Sequence, residues 1–219
     1  MIEEFRRIGS LMFQERLVGS HGGDLSVRQG EKILITRRDA MLGDLKETDL
    51  VEVGMAPGEN DPLASRELES HRALYRQTAA QAIVYAHPVK AIAISLTDNK
   101  VVPQDAEGLY LFKSAAIVRV HGGIGSGETA RMLPSFFGEN VVVAVKGHGT
   151  FAIGKTLAEA YRLTSALELS CAILVAMRSS SAAAPRKPER TEYKPAFKPK
   201  SAIPPGIGVM DRSRYYKKR

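Results

Sequence analysis

The sequence predicts an α/β fold, a single three-layer α/β/α domain around a mixed, mostly antiparallel sheet. Two observations lead to this expectation. Short apolar stretches typical of strands alternate with amphipathic stretches typical of helices along the first 177 residues. Several of the strands are joined by turns too short for a crossover helix, and such turns connect antiparallel neighbours. Helices are then expected to cover the sheet on both faces.

The first half of this domain reads as helix, hairpin, strand and helix. The amphipathic pattern of residues 2–18 predicts a helix that stops at Gly19. Alternating residues around Gln29-Gly30 predict a hairpin. The expected elements are Leu25–Arg28 and Lys32–Thr36 for the hairpin, the strand "DLVEVG", and a helix that starts at Ser65 in "SRELESHRALYRQTAAQ".

The second half alternates strands and helices up to a long final helix. "IVYA", residues 83–86, reads as a buried strand, and Pro88 suits the first turn of the helix that follows. The remaining expected elements are a strand at 116–120, a helix at 129–137, two strands in "NVVVAVKGHGTFAIG" bent at Gly147-His148-Gly149, and a helix over Leu157–Met177.

The charge is divided unevenly between this domain and the C-terminal segment. Residues 178–219 contain twelve Lys/Arg and three Asp/Glu, a net charge of +9, which leaves −2 on residues 1–177 of the chain's +7. The segment is proline-rich and has too little apolar surface to fold alone. We expect a domain over 1–177 and a basic Pro/Lys-rich tail over 178–219, extended or partly disordered. It either solubilises the protein or folds over a neighbouring subunit.

Composition also bears on location and partners. No run of about 18 apolar residues occurs, and the N-terminus does not read as a signal peptide. We therefore expect a soluble, cytoplasmic protein with no membrane association. Cys171 is the single cysteine, so no internal disulfide forms. Binding of nucleic acid through the basic tail would be weak and salt-dependent, and nucleic acid is not an expected partner.

Two histidines stand where predicted strands end. His87 follows the strand 83–86, and His148 lies between two glycines at the bend of the last strand pair. Strand ends in one sheet can be neighbours, so the two imidazoles could converge, with Glu67 adding a carboxylate. Two imidazoles and an oxygen ligand suit a catalytic zinc ion. Without further information, packing or capping roles for these histidines are the more common case.

A resemblance to a known family covers residues 2–177. Its motifs appear in order as "GGDLSVR", "ILIT", "SRELESHRALYR", "VYAHP", "DAEGLYL" and "GHGTFAIGKTLAEAYRLTSALE". In this pattern the chain resembles the class II aldolase/adducin family, in particular its L-fuculose-phosphate aldolases. The resemblance implies a class II aldolase-like α/β/α domain assembled as a homotetramer, and a small-molecule substrate.

The resemblance also implies roles for individual residues. Glu67 falls on the family's acid/base glutamate, and His87 and His148 fall on two of its three metal-ligand histidines. Tyr110 falls on a tyrosine that reaches across the subunit interface to act as a proton donor. The implied cofactor is Zn²⁺, or another divalent metal such as Mn²⁺ or Co²⁺.

The chain departs from the family pattern in its metal-ligand motif and in its phosphate-binding motifs. The family's His-x-His becomes Tyr85-Ala86-His87, so a tyrosine stands at one ligand position. The phosphate-binding motifs become Gly23-Asp24-Leu25-Ser26, Thr36-Arg37-Arg38-Asp39 and Ser65-Arg66-Glu67. We expect substrate contacts from Asp24, Thr36, Arg38, Ser65 and Arg66. The arginines suit an anionic group, whereas Asp24 disfavours a phosphate dianion, which predicts a changed substrate.

Two classes of function follow. The first is a divalent-metal-dependent aldolase, a lyase of carbohydrate metabolism that cleaves a small sugar phosphate or related hydroxy-carbonyl compound through an enediolate. An epimerase or dehydratase using the same intermediate is a variant of it. The second is a binding or scaffold protein that kept the fold and lost the metal. A metal assay separates the two classes.

Overall fold

The computed structural model describes residues 1–182. These residues form one sheet and six α-helices. The strands are β1 Asp24–Gln29, β2 Lys32–Thr36, β3 Leu50–Gly54, β4 Ala82–Ala86, β5 Lys100–Val101, β6 Ala115–Val118, β7 Val142–Val145 and β8 Gly149–Gly154. The helices are α1 Ile2–Gln14, α2 Leu68–Gln77, α3 Val89–Thr97, α4 Ala106–Leu111, α5 Gly127–Met132 and α6 Leu157–Ala182.

The sheet is mixed and mostly antiparallel, as predicted. Its strand order is β3-β2-β1-β4-β8-β7-β6-β5. Among the described strands, the pair β6–β7 runs parallel, and every other neighbouring pair runs antiparallel.

Two apolar cores lie on opposite faces of this sheet. Successive residues of a strand point to opposite faces, and β4 shows this directly, because Val84 packs into one core and Ile83 into the other. Helices α1, α3 and α6 complete the core around Val84, and α2 completes the core around Ile83. The three-layer α/β/α arrangement predicted from the sequence is confirmed.

Several element boundaries differ from the sequence prediction. Helix α1 ends at Gln14 rather than at residue 18, and α6 continues past Met177 to Ala182. The stretch around Tyr110 forms the short helix α4. Asp105 caps its N-terminus, because its carboxylate accepts the Gly108 N–H at 2.7 Å. The predicted tail from residue 183 onward lies outside the described residues.

Helix α6 is the one described helix that by length and composition could cross a membrane. It is instead the outer layer of this domain over much of its length. Leu157, Ala160, Leu167 and Cys171 on its inner face are fully buried in the core against the sheet. Its apolar character therefore has a packing explanation.

Strand pairing brings the predicted site residues to one edge of the sheet. The start of β1 lies opposite the end of β4, with Asp24 paired to Tyr85. The start of β8 also lies opposite the end of β4, with Thr150 paired to Ala86. His87 and His148 therefore leave neighbouring strands at the same edge.

Candidate active site

A small cleft opens at this edge of the sheet. Its volume is about 90 Å³, and six of the predicted site residues line it: Asp24, Arg38, Ser65, Arg66, Glu67 and His87. His148 lines an adjoining cavity of about 400 Å³, of which His87 is also a wall. The structure thus brings together most of the residues selected from the sequence.

Glu67 is the buried carboxylate of this cleft. It lies at the start of α2 and is only 1% exposed. Oε1 accepts the backbone N–H of Gly125 at 2.8 Å, and Oε2 accepts the hydroxyl proton of Ser70 at 2.9 Å. Oε1 also lies 3.7 Å from Nε2 of His148. These contacts hold the carboxylate in one orientation, with an imidazole beside it.

The loop that holds Glu67 depends on a glycine. Gly125 has a φ of +71°, and a Cβ there would lie 2.4 Å from the carbonyl oxygen of Arg66. Positive φ is costly for residues with a side chain, and the contact with Arg66 is far below van der Waals distance. Glycine at 125 therefore lets a backbone N–H approach the carboxylate.

We predict that Gly125→Ala destabilises the protein by about 2–5 kcal/mol, the sum of the costs of positive φ and of overpacking. It should also lower any activity that needs Glu67. The matched control is Gly30→Ala in the β1–β2 hairpin, which has a φ of +64° but open space around a Cβ. Urea denaturation should show a smaller loss for the control. Equal losses for both variants would show that the contact with Arg66 is easily relieved.

Tyr85 lies between the two histidines. Its hydroxyl is 3.0 Å from Nε2 of His87, and its ring makes edge contacts with the rings of His87 and His148 at centroid distances of 4.9 and 5.9 Å. Burial, together with the charges of Glu67 and Asp24, raises the pKa of the Tyr85 phenol far above its usual value. The phenol is therefore neutral near pH 7. Burial also lowers the pKa of His87, which favours a neutral imidazole.

These donors provide part of a divalent-metal site. Nε2 of His148 is buried and has no hydrogen-bond partner among the described residues, which is expected of a nitrogen that binds a metal ion. Neutral imidazoles are good ligands for Zn²⁺ and similar ions. A neutral phenol is a poor one, and within residues 1–182 no group of three His, Cys, Asp or Glu residues has the arrangement of a metal site. The two imidazoles thus fit a divalent ion but are one donor short of a three-ligand site.

Arginines form the outer rim of the cleft. Arg37, Arg38 and Arg66 line it, and Arg66 pairs with Asp39 at 3.1 Å across an exposed stretch. Guanidinium groups bind carboxylate and phosphate oxygens well. The rim can therefore receive an anionic group of a ligand. Arg37 was not selected from the sequence, although it belongs to the same altered motif as Arg38.

Two predicted site residues do not face the cleft. Thr36 is fully buried, and its hydroxyl accepts the backbone N–H of Leu25 at 3.2 Å, so it supports the wall from behind. Tyr110 is 80% exposed on α4, outside the cleft of its own subunit. Substrate contact by Thr36 and proton donation by Tyr110 stay predictions, and the second requires another subunit.

Sequence reasoning missed the groups that orient Glu67. Ser70 and His71 follow it by three and four residues, a spacing that places them near the same helix face, so a helical reading could have selected them. His71 lies 2.8 Å from Asp24, a residue on a distant strand. No local sequence signal indicates the Gly125 N–H, because its loop is 58 residues further along the chain.

Comparison with known proteins gives related sequences across the domain. A methylthioribulose-1-phosphate dehydratase of Acidiphilium cryptum is 29% identical over 191 residues, which cover 77% of this chain and 87% of that protein. An L-fuculose phosphate aldolase of Methanococcus maripaludis is 30% identical over 165 residues, covering 75% of this chain and 90% of that protein. Both names are those of lyases, and the prediction that the chain is an enzyme of this class is confirmed.

A solved structure also resembles this chain. The crystal structure of L-fuculose-1-phosphate aldolase from Thermus thermophilus has a TM-score of 0.80 and 32% identity, and the match covers 84% of this chain and 97% of that one. Residues 3–175 match the family described as "Class II Aldolase and Adducin N-terminal domain". The chain therefore belongs to the class II aldolase and adducin family.

Proposed function

We propose that the protein is an aldolase that cleaves a carbon–carbon bond of a small hydroxy-carbonyl compound carrying an anionic group. The observation that carries this proposal is Glu67, a buried carboxylate oriented by Gly125 and Ser70 at the base of a cleft with an arginine rim. The names of the relatives from Methanococcus and Thermus support the same reaction class.

The reaction requires groups that move protons. In retro-aldol cleavage the hydroxyl group loses its proton and becomes an aldehyde, and the bond to the α-carbon breaks. The electron pair stays with the other fragment as an enediolate, which takes up a proton to become the second product. Glu67 is the proposed acid/base at this carbon. A carboxylate that is held in one orientation and lines the cleft suits that role.

His87 and His148 are the residues that would hold a divalent ion, Zn²⁺ or alternatively Mn²⁺ or Co²⁺. Such an ion, when bound, supplies positive charge that stabilises the negative charge developing on a carbonyl oxygen. The chain's own contribution is to bury His87, which favours its neutral form, and to place the His148 imidazole beside the carboxylate. Two observations support this part of the proposal: the lowered pKa of His87, and the lack of a hydrogen-bond partner for Nε2 of His148 within residues 1–182.

We propose that Arg38 and Arg66 bind the anionic group of the substrate. Both are exposed at the mouth of the cleft, so they can reach a phosphate or a carboxylate. Asp24 and Ser65 form the wall beneath them, where Asp24 is 2% exposed and accepts the Ser65 hydroxyl proton. The two exposed arginines can therefore receive a sugar phosphate, and the repulsion between Asp24 and a phosphate dianion stays a prediction.

A dehydratase is a second candidate. The relative from Acidiphilium cryptum favours it, because its printed name is methylthioribulose-1-phosphate dehydratase. Loss of water from a hydroxy-ketone also begins with proton transfer at the carbon next to a carbonyl group, so Glu67 could serve there too. A scaffold protein without metal is a third candidate, and Tyr85 at a ligand position favours it.

One experiment separates these candidates. The purified protein, loaded in turn with Zn²⁺, Mn²⁺ and Co²⁺, is incubated with L-fuculose 1-phosphate, methylthioribulose 1-phosphate and their unphosphorylated forms. Release of an aldehyde identifies an aldolase, and loss of water without cleavage identifies a dehydratase. If no divalent ion binds and no substrate is converted, the protein is a scaffold or binding protein without metal, and the proposed activity is wrong.

We further propose a homotetramer in which Tyr110 of one subunit completes the site of another. The 80% exposure of Tyr110 and the 48% exposure of its neighbour Leu109 support an interface on α4. An exposed phenol can act as a proton donor in a site of another subunit when that subunit packs against it. Light scattering should then give the mass of four chains.

Mixing two inactive variants tests this assignment. Glu67→Gln and Tyr110→Phe should each lose most activity, because each lacks one proton-transfer group. When the two are dissociated and reassembled together, some sites combine an intact Glu67 with an intact Tyr110, and activity should return. The same treatment of each variant alone is the control. Failure of the mixture to regain activity would place both groups in one subunit or remove Tyr110 from the site.

The cellular setting is part of the proposal. We propose a cytoplasmic enzyme with a catalytic domain over residues 1–177 and a basic segment over 178–219. The cytoplasmic location is supported by relatives named as sugar-phosphate enzymes. Deleting residues 190–219 and measuring assembly, metal content and turnover would show whether the segment takes part in any of them.

A further inference from the structure

A chain of buried polar groups runs behind the wall of the cleft. Its members, in order, are Tyr75, Ser26, His71, Asp24, Ser65 and the backbone N–H of Glu67. Each of the six residues is at most 8% exposed. Buried polar groups are costly unless they are paired, so an extended chain of them next to a proposed catalytic carboxylate calls for a functional reason.

The distances fix how the chain is connected. The Ser65 hydroxyl donates to Oδ2 of Asp24 at 2.5 Å, and the Glu67 N–H donates to the Ser65 oxygen at 3.1 Å. On the other side of the carboxylate, Nε2 of His71 lies 2.8 Å from Oδ1 of Asp24. These two atoms have no other partner among the described residues. A proton on Nε2, shared with Oδ1, satisfies both.

The remaining protons then have one consistent direction. With its proton on Nε2, a neutral His71 has a bare Nδ1, which accepts the Ser26 hydroxyl proton at 2.7 Å. The Ser26 oxygen in turn accepts the Tyr75 hydroxyl proton, also at 2.7 Å. Both serine hydroxyls in the chain donate once and accept once. All protons point toward Asp24, because a carboxylate only accepts.

Asparagine at position 24 could not support this arrangement. An amide has one oxygen that accepts and one NH₂ group that donates. If the NH₂ group faced His71, the imidazole would carry its proton on Nδ1, and Ser26 would donate to Tyr75 instead. The Tyr75 proton would then point into an apolar core. If the NH₂ group faced Ser65, the Ser65 proton would lose its acceptor.

We propose that Asp24, backed by His71, is a positioning residue for Glu67. The proposal rests on the acid/base role proposed for Glu67. The Asp24 carboxylate fixes the direction of the Ser65 hydroxyl, and Ser65 thereby accepts the Glu67 N–H and anchors the start of α2. Asp24 at this position therefore acts through Ser65 on the geometry of catalysis, and its charge is stabilised by hydrogen bonds from Ser65 and His71.

The first test needs only the folded wild-type protein. Two-dimensional ¹⁵N–¹H spectra of histidine-labelled protein report which ring nitrogen carries the proton, and His71 can be assigned through its contact with the Phe151 ring, 6.0 Å between centroids. The proposal requires the neutral form with the proton on Nε2. A proton on Nδ1, or on both nitrogens between pH 6 and 8, would overturn it. This result does not depend on turnover, so it stands or falls separately from the proposed activity.

The second test is a double-mutant cycle. Asp24→Asn, with its NH₂ group facing Ser65 and its amide oxygen still accepting the Nε2 proton of His71, removes the acceptor of the Ser65 hydroxyl proton. It should lower kcat by about tenfold to a hundredfold, as expected for a small displacement of a catalytic group, with KM nearly unchanged. In a Ser65→Ala background the same substitution should have little further effect on kcat, because the link to Glu67 is already gone. Asp44→Asn, on an exposed turn, is the matched control and should change neither readout.

Two results of the cycle would overturn the proposal. Additive effects of Asp24→Asn and Ser65→Ala on kcat would show that Asp24 does not act through Ser65. A change confined to KM would show that Asp24 contacts the substrate directly. If the Asp24 variant does not fold, the wild-type spectrum still decides whether the protons point toward Asp24.

Discussion

Glu67→Gln should lower the turnover of whichever substrate the protein accepts by about 10²–10⁴-fold, the range typical for loss of a general acid or base. Glutamine has nearly the same shape, and its amide oxygen can still accept the Gly125 N–H. Its NH₂ group cannot take up the substrate proton. The fold should survive, and kcat rather than KM should carry the loss. Initial rates with the best substrate among those tested measure kcat and KM, and a thermal melt measures whether the fold survives.

The control for this substitution lies on the same helix. Glu69→Gln makes the same chemical change on a carboxylate that is half-exposed and pairs with Arg72 at 2.7 Å, outside the cleft. It should lose at most a small amount of stability and no activity. If Glu67→Gln kept more than a tenth of wild-type kcat, Glu67 would not be the acid/base, and the proposed mechanism would have to use another group.

Much of the fold could be predicted because its signals are local. The β1–β2 hairpin follows from alternating residues around Gln29-Gly30, and the bend at Gly147-His148-Gly149 separates β7 from β8 in the structure as in the sequence. Helix α4 was missed because six residues give too short a periodic pattern. The prediction for α1 was too long because the amphipathic pattern continues beyond Arg16, where a φ of +58° takes the chain out of the helix.

The site was predictable only in its individual positions. The histidines after β4 and before β8 could be selected as strand-end residues, and antiparallel pairing brings such ends together. The contact between Asp24 and His71 joins residues 47 positions apart through two elements, a strand and a helix. No periodicity links such positions. Sequence reasoning therefore assigned Asp24 a repulsive role toward phosphate, while in the structure its carboxylate is bound by Ser65 and lies against His71.

The environment of Tyr85 shows why the metal site could not be resolved from sequence alone. Tyrosine at a ligand position could bind as a phenolate or not bind at all. Its burial and the nearby carboxylates favour the neutral phenol. Its hydroxyl also lies 3.0 Å from the nitrogen through which His87 would coordinate an ion. Tyr85 thus fails to supply a third metal ligand, and its hydroxyl group occupies the nitrogen of His87 that would bind the ion.

Tyr85→His should therefore raise the affinity for Zn²⁺ by at least about tenfold, the lower end of what a change in the surroundings of a metal ligand produces. The imidazole would supply the third nitrogen. Because it is shorter than a phenol, it would also release Nε2 of His87 and leave room beside it. Residues two apart along a strand face the same side, so a histidine at 85 would point toward the position that His87 and His148 share. Competition with a chromophoric chelator measures the affinity, and the absorption spectrum of the Co²⁺ form reports the number of nitrogen ligands.

Tyr85→Phe is the matched control, because it also frees His87 but adds no ligand. If the third nitrogen is responsible, only the histidine variant should gain the full affinity and a Co²⁺ spectrum typical of added nitrogen coordination. A similar gain in both variants would mean that Tyr85 acts by blocking His87 rather than by withholding a ligand. Unchanged affinity in a folded Tyr85→His protein would show that position 85 does not face the ion, and that His87 and His148 do not share a metal site with it.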